Sequence, residues 1–202
     1  MPAPAVAVGD LTERVRTASH TGSLEPDFPD ARPSAVLALF TDGPDGAEVL
    51  LTRRAMHLSN HRGEVSFPGG RLEPGETYVA AALREADEEV GLDPALVTVV
   101  GRLQPISTYV SRSWIVPVVG WVADRPALDL RPAEVDRVMW VPLRELTLPG
   151  TFREEWWPTV SGDRPIFFFE LDDETVWGAT ARMLHQLLRV AHGVEGPEPP
   201  AL

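Results

Sequence analysis

Three glutamates within five residues, on what reads as a helix, constrain this chain more than any other feature. From Gly70 to Leu92 the sequence is a glycine-punctuated loop feeding an acidic helix. Val79, Leu83, Ala86 and Val90 recur at helical spacing and predict one apolar stripe packed on a core. At about 100° per residue, Glu85 and Glu89 lie about 40° apart and Glu88 about 60° beyond Glu85, so three carboxylates share the flank beside that stripe. Like charges held this close repel unless something positive sits among them. A hard divalent cation would supply that charge, because Mg2+ and Mn2+ prefer carboxylate and water oxygens. A solvated helix face is the alternative for an acidic run standing alone.

This run does not stand alone. Gly70, Glu76, Arg84, Glu85, Glu88, Glu89, Gly91 and Leu92 fall at the fixed positions of the Nudix box. The chain therefore resembles the Nudix hydrolases. That resemblance implies an α+β fold, an α/β/α sandwich with a mixed β-sheet, and metal-dependent cleavage of a diphosphate linked to another moiety. Carried over by residue, it implies Glu85, Glu88 and Glu89 as ligands of Mg2+ or Mn2+, with Glu88 and Glu89 also catalytic. Glu76 and Arg84 become a structural pair tying the loop to the helix, and Gly91 a left-handed helix cap. The implied reaction is attack of water on one phosphorus, with the metal lowering the pKa of that water. A separate general base stays open among Glu64, Glu88, Glu134, Glu154 and Glu155.

The residues just upstream narrow the substrate. Leu50-Leu51-Thr52-Arg53-Arg54-Ala55, then Gly63, then Phe67-Pro68-Gly69-Gly70 is similar to the signature of the coenzyme A diphosphatase branch of the family. Where that pattern has a second arginine this chain has Ser59, with Arg62 three residues on. The implied substrate-binding set is Arg54, Arg53, His61, Arg62, Gly69 and Gly70. Arginine suits the task because its planar fork grips phosphate oxygens bidentately. Adjacent residues of a strand point to opposite faces, so one of Arg53 and Arg54 is turned away from any shared site. Pro105 and Tyr109 stand about where other Nudix branches mark ADP-ribose or dinucleoside polyphosphates. Val110 to Trp114 replaces the branch's Ser-Gly-aromatic segment. Two further readings accompany coenzyme A cleavage: another nucleoside diphosphate derivative such as ADP-ribose or NADH, and a non-catalytic Nudix regulator that only binds its ligand.

Composition bounds the rest. With 202 residues, 44% of them hydrophobic, the chain can bury one good core. It has no cysteine, which fits a reducing cytoplasm, and no basic-then-apolar leader or membrane-length apolar run. A net charge of −12 excludes a broad nucleic-acid surface, leaving a small-molecule diphosphate as the expected partner. Residues 1–32 read as an N-terminal arm or cap with a short helix around Leu11 to Ser19, 33–195 as the Nudix domain, and 196–202 as a frayed tail. Ser34 to Phe40 and Glu48 to Arg53, joined by Asp-Gly-Pro-Asp-Gly, read as a hairpin. Leu96 to Val100 and Trp114 to Val122 read as strands, with Gln104 to Ser113 a loop overhanging the site. Val138 to Leu143, then Arg144 to Leu146, read as a strand and short helix. Phe152 to Pro158, with two acids and two tryptophans, suits plain packing, a substrate lid or a subunit contact of a homodimer. Ile166 to Leu171 reads as a strand, and Trp177 to His192 as an amphipathic helix.

Overall fold

The computed structural model describes residues 3–26, 28–58, 62–108, 111–158 and 162–194. Its spine is the expected hairpin. Strand β1 (Arg32–Gly43) turns at Pro44 and Asp45 into β2 (Gly46–Arg54), and Gly46 supplies the positive φ of 99° that the turn needs. Strands β3 (Val65–Ser66) and β8 (Val135–Pro142) pair with β2, and β4 (Gly69–Arg71) pairs with the first half of β1. On the other side of β1 lies β7 (Ser113–Trp121), parallel to it, flanked by β5 (Thr98–Arg102) and β6 (Ile106–Thr108). The result is an eight-stranded mixed sheet. The segment expected as a loop from Gln104 to Ser113 thus contains a strand, β6, because its alternating Ile106 and Thr108 can pair with the start of β7.

Alternation along β1 decides the layers. Leu37 and Leu39 face one way, where helix α2 (Tyr78–Val90) covers them; Ala38 and Phe40 face the other. That second face is covered by α1 (Val8–Ala18) and α3 (Gly178–Ala191). Helices on both faces of a mixed sheet make the α/β/α sandwich that the resemblance implies. A separate three-stranded sheet of β9 (Phe152–Trp157), β10 (Arg164–Glu170) and β11 (Thr175–Trp177) carries Phe152 and Phe167 against His185 of α3. Phe152 to Trp157 is therefore an edge strand, with Trp156 and Trp157 exposed. No helix among the described residues is long and apolar enough to cross a membrane.

Residues 3–26 are stitched to this sandwich. Helix α1 begins at Val8, and its Leu11 and Val15 are 0% and 1% exposed within the core. Ala47 N–H donates to Val6 O at 2.8 Å, and His20 N–H to Arg102 O at 2.9 Å. The connector that follows crosses to the α2 side, where Tyr78 Oη and Trp114 Nε1 both donate to Leu24 O at 2.9 Å. If this segment belongs to the folding unit, Leu11→Ala should cost about 2–5 kcal/mol in urea unfolding, as a cavity in a packed core does. A loss below about 0.5 kcal/mol would make it a dispensable arm.

Candidate active site

Helix α2 is bounded by local chemistry. Thr77 caps its start by accepting the Ala80 N–H at 3.2 Å, and Gly91, at φ 65°, ends it by donating to Ala86 O and Asp87 O. Its buried residues are Ala81, Ala82, Ala86, Glu89 and Val90, whereas Val79 and Leu83 are only half-buried. The covered face is therefore rotated from the expected stripe toward Glu89. Small alanines let the helix approach the sheet closely, and the bulkier Val79 and Leu83 pack at its margin.

That rotation separates the three glutamates. Glu89 is 6% exposed and its Oε2 accepts the Gly69 N–H at 3.1 Å. Glu85 lies one turn back, half-buried against Gly70, where a Cβ would overlap the Glu85 carboxylate. Glu88 points outward, its side chain 58% exposed, and its Oε2 takes a bond from Arg84 Nη1 at 2.8 Å. Arg84 is the hub of the loop. Its Nε and Nη2 grip both Glu76 oxygens at 3.0 and 3.1 Å, its Nη1 also reaches Glu85 at 3.1 Å, and its Nη2 donates to Arg71 O at 3.0 Å. These bonds hold the Glu76 carboxyl below the usual range, helped by the Glu73 N–H.

The two glycines have different jobs. A Cβ on Gly69 would strike the Ala35 and Val36 backbone, so Gly69 lets β4 lie against β1. Gly70 instead leaves room for a carboxylate. Gly63, at φ 70°, turns the chain so that its N–H donates to Arg54 O at 2.9 Å.

Facing α2 across this space is the end of β2. Arg54 N–H donates to Glu64 O at 2.9 Å and Ala55 N–H to Glu134 O at 2.8 Å. Burial pushes the Glu89 carboxyl up to about 8; the Gly69 N–H opposes that, Glu85 and Glu134 add to it, and Arg54 eases it. Glu85 is raised as well, chiefly by burial, with Arg84 opposing and Glu88 and Glu134 reinforcing. Among the described residues no three acidic or histidine side chains are already gathered around one point. Two carboxyls held above their ordinary range by burial, despite Arg84 on one and Arg54 bearing on the other, with a third nearby, nevertheless offer all-oxygen donors whose chemistry fits a hard dication.

Not every expected residue is seen at this face. Arg53 faces away from α2, with Nε on Asp136 at 2.8 Å and Nη1 on Glu174 at 2.8 Å, so strand alternation removes it from the expected substrate-binding set. Arg62 is exposed and Pro105 half-buried. His61, Ser59, Tyr109 and Val110 lie outside the described residues. Glu154 and Glu155 lie on β9, where Arg153 and Trp157 Nε1 hold the Glu155 carboxylate. Of the five acids considered as a base, Glu134 and Glu88 both push the Glu85 carboxyl up, and Glu134 also pushes up that of Glu89. Nothing in the local sequence around Glu134 marks it, because only the β2–β8 pairing brings it there.

A NUDIX domain model matches residues 31–160. The chain is 36% identical to Nudix hydrolase 22, chloroplastic, of Arabidopsis thaliana over 88% of its own length and 62% of that protein's. It is 35% identical to Nudix hydrolase 3 of Caenorhabditis elegans, over 77% of this chain and 71% of that one. Against the Nudix hydrolase NudL of Photorhabdus laumondii it is 36% identical, over 69% and 74%. Among solved structures, a Nudix hydrolase from M. smegmatis, RenU, matches with a TM-score of 0.58 at 21% identity, covering 90% of this chain and 96% of that one, a likeness of fold.

The contrast between the glycines is measurable. Gly69→Ala, which meets backbone, should destabilise the protein by about 1–3 kcal/mol, as overpacking does. Gly70→Ala meets only the movable end of Glu85, and its urea midpoint should stay close to that of the unaltered protein. Equal destabilisation by both would refute the distinction.

Proposed function

The chain belongs to the Nudix family, and from that premise we propose that it hydrolyses the diphosphate of coenzyme A, or of its derivatives, to 4′-phosphopantetheine and 3′,5′-ADP. One observation carries the reading. The upstream segment that resembles the coenzyme A branch ends at the site: Arg54 bears on the charge of Glu89, and Gly69 and Gly70 form the floor beneath Glu89 and Glu85.

Mg2+ or Mn2+ would be held by Glu85 and Glu89, with Glu88 joining on release from Arg84. Such an ion, when bound, makes a water more acidic and neutralises phosphate oxygens. The protein's own residues supply the rest. Arg54 grips a phosphate oxygen and sets the diphosphate beside the glutamates. Water oxygen bonds to one phosphorus, the bridging P–O bond breaks, and the leaving phosphate takes that electron pair. A carboxylate accepts the proton of the water, and Glu134, whose charge bears on both Glu85 and Glu89, is the candidate for that role. Arg84, already shared among three carboxylates, keeps the loop in place and does not reach substrate. A cysteine-free chain working on coenzyme A would suit the cytoplasm.

Purified protein incubated with coenzyme A, ADP-ribose and NADH, in Mg2+ and separately in Mn2+, should release 3′,5′-ADP from coenzyme A well ahead of the other products. Turnover that favours ADP-ribose or NADH would reject the branch, and no turnover of any would favour a ligand-binding regulator. Removing the metal with EDTA should abolish hydrolysis, and added Mn2+ should restore it. Glu89→Gln should lower kcat by about a hundredfold or more while circular dichroism stays native. Arg54→Ala, which removes a charge-assisted bond worth about 1.5–3 kcal/mol, should raise KM for coenzyme A by about tenfold or more; unchanged kinetics would place Arg54 outside the pocket.

A further inference from the structure

On the face of the sheet away from α2, two arginines converge on one oxygen of Glu174. Arg53 Nη1 stands at 2.8 Å and Arg137 Nη1 at 3.0 Å, and the Glu174 side chain is only 9% exposed. Arg53 Nε also binds Asp136 at 2.8 Å, and Arg137 binds Asp173 at 2.6 Å. Glu174 O accepts the Leu171 N–H at 2.9 Å, which closes the turn between β10 and β11. Two arginines and three carboxylates thus lace that turn to the ends of β2 and β8. Exposed pairs of this kind contribute little, but a shielded carboxylate shared by two guanidiniums is held much more firmly.

Arg53 and Arg137 are directly opposite each other in the β2–β8 ladder, and immediately beyond them the register shifts. Arg54 opposes Val135, which leaves Asp136 as the extra residue. A bulge re-aims the side chains past it. In regular register Asp136 would oppose Arg54 and face the apolar underside of α2. With the shift, Val135 takes that place at 2% exposure and Asp136 turns to Arg53. Past the bulge, the Ala55 N–H bond to Glu134 O and the Arg54 N–H bond to Glu64 O set the two residues that bear on Glu89.

We propose that Glu174 is a positioning residue: by holding Arg53 and Arg137 together it locks the bulge at Asp136, and the bulge sets Arg54 and Glu134 against Glu89. The device is built on the opposite face of the sheet from the site it serves. It needs no contact with substrate.

Amide hydrogen exchange on the intact chain tests this without any assumption about activity. Glu174→Gln keeps an oxygen for the two donors and removes the charge; Glu174→Ala removes both, and if that variant fails to fold the glutamine variant still decides. Glu170→Gln is the control, because Glu170 pairs with Arg153 and Thr175 within the three-stranded sheet. The Glu174 variants should speed exchange of the Arg54 and Ala55 amides by about tenfold relative to those of Leu50 and Leu51, and the control should not. Equal exchange at Arg54 and Ala55 in all variants would overturn the proposal. The kinetic arm rests on the diphosphatase reading. There, Glu174→Gln should lower kcat/KM for coenzyme A about tenfold alone and by a clearly smaller factor in an Arg54→Ala background, where only the placement of Glu134 is left to lose, because residues acting through one another are not additive. The same loss in both backgrounds would mean that Glu174 acts independently of Arg54. If the unaltered protein does not turn over coenzyme A, the proposed function fails and the exchange result alone decides the role of Glu174.

Discussion

Everything distinctive in this molecule depends on a carboxyl placed where carboxyls are rarely tolerated. Glu89 sits on the covered face of α2, where its carboxylate accepts the backbone N–H of Gly69. Burying an ionisable group raises the cost of its charge, and here that cost is increased by Glu85 and Glu134. The surroundings are shaped to accept this. Alanines bring the helix down to the sheet, Gly69 brings β4 against β1, and Gly70 leaves a gap for the neighbouring carboxylate. A group so disfavoured as a bare anion is well suited to meet a cation, which is the sense in which local instability and chemistry coincide.

Around that carboxyl the arginines divide into two kinds. Arg84 and Arg53 are tied down: the first by Glu76, Glu85, Glu88 and a carbonyl, the second by Asp136 and Glu174. Arg54 bears on Glu89 from the end of β2. Guanidiniums tied down in this way fix backbone, and one that bears on nearby acids can also serve an incoming phosphate. The division follows from the two-residue period of β2, which sends adjacent arginines to opposite sides of the sheet.

Much of this was legible in the chain. The hairpin, the acidic helix and its glycine cap were written in local spacing, because turns, caps and helical neighbours are set by residues a few positions apart, whereas the Glu76–Arg84 pair came from the resemblance to the Nudix box. The exact face of α2 was less legible: Val79 and Leu83 have the bulk of core residues, yet Ala81, Ala82 and Ala86 lie deeper. Packing distance decided that, and periodicity carries no information on distance. Helix α1 likewise read as a short helix of unreadable role, since the residues flanking it, Val6 and His20, bond to Ala47 and Arg102 far along the chain.

The sequence by itself determined the chemistry on offer: acidic oxygens at fixed helical offsets, a basic strand end, two glycines between them, and a mixed sheet to carry them. Tertiary structure alone decided which of these groups meet. It buried Glu89 and turned Glu88 outward, sent Arg53 to one face and Arg54 to the other, and let the charge of Glu134, just before β8, bear on the helix glutamates. The reason is physical. Residue type and spacing set what a side chain can do within a turn or two of its own backbone, whereas burial and the field of distant charges exist only once strands have paired and one extra residue has shifted their register.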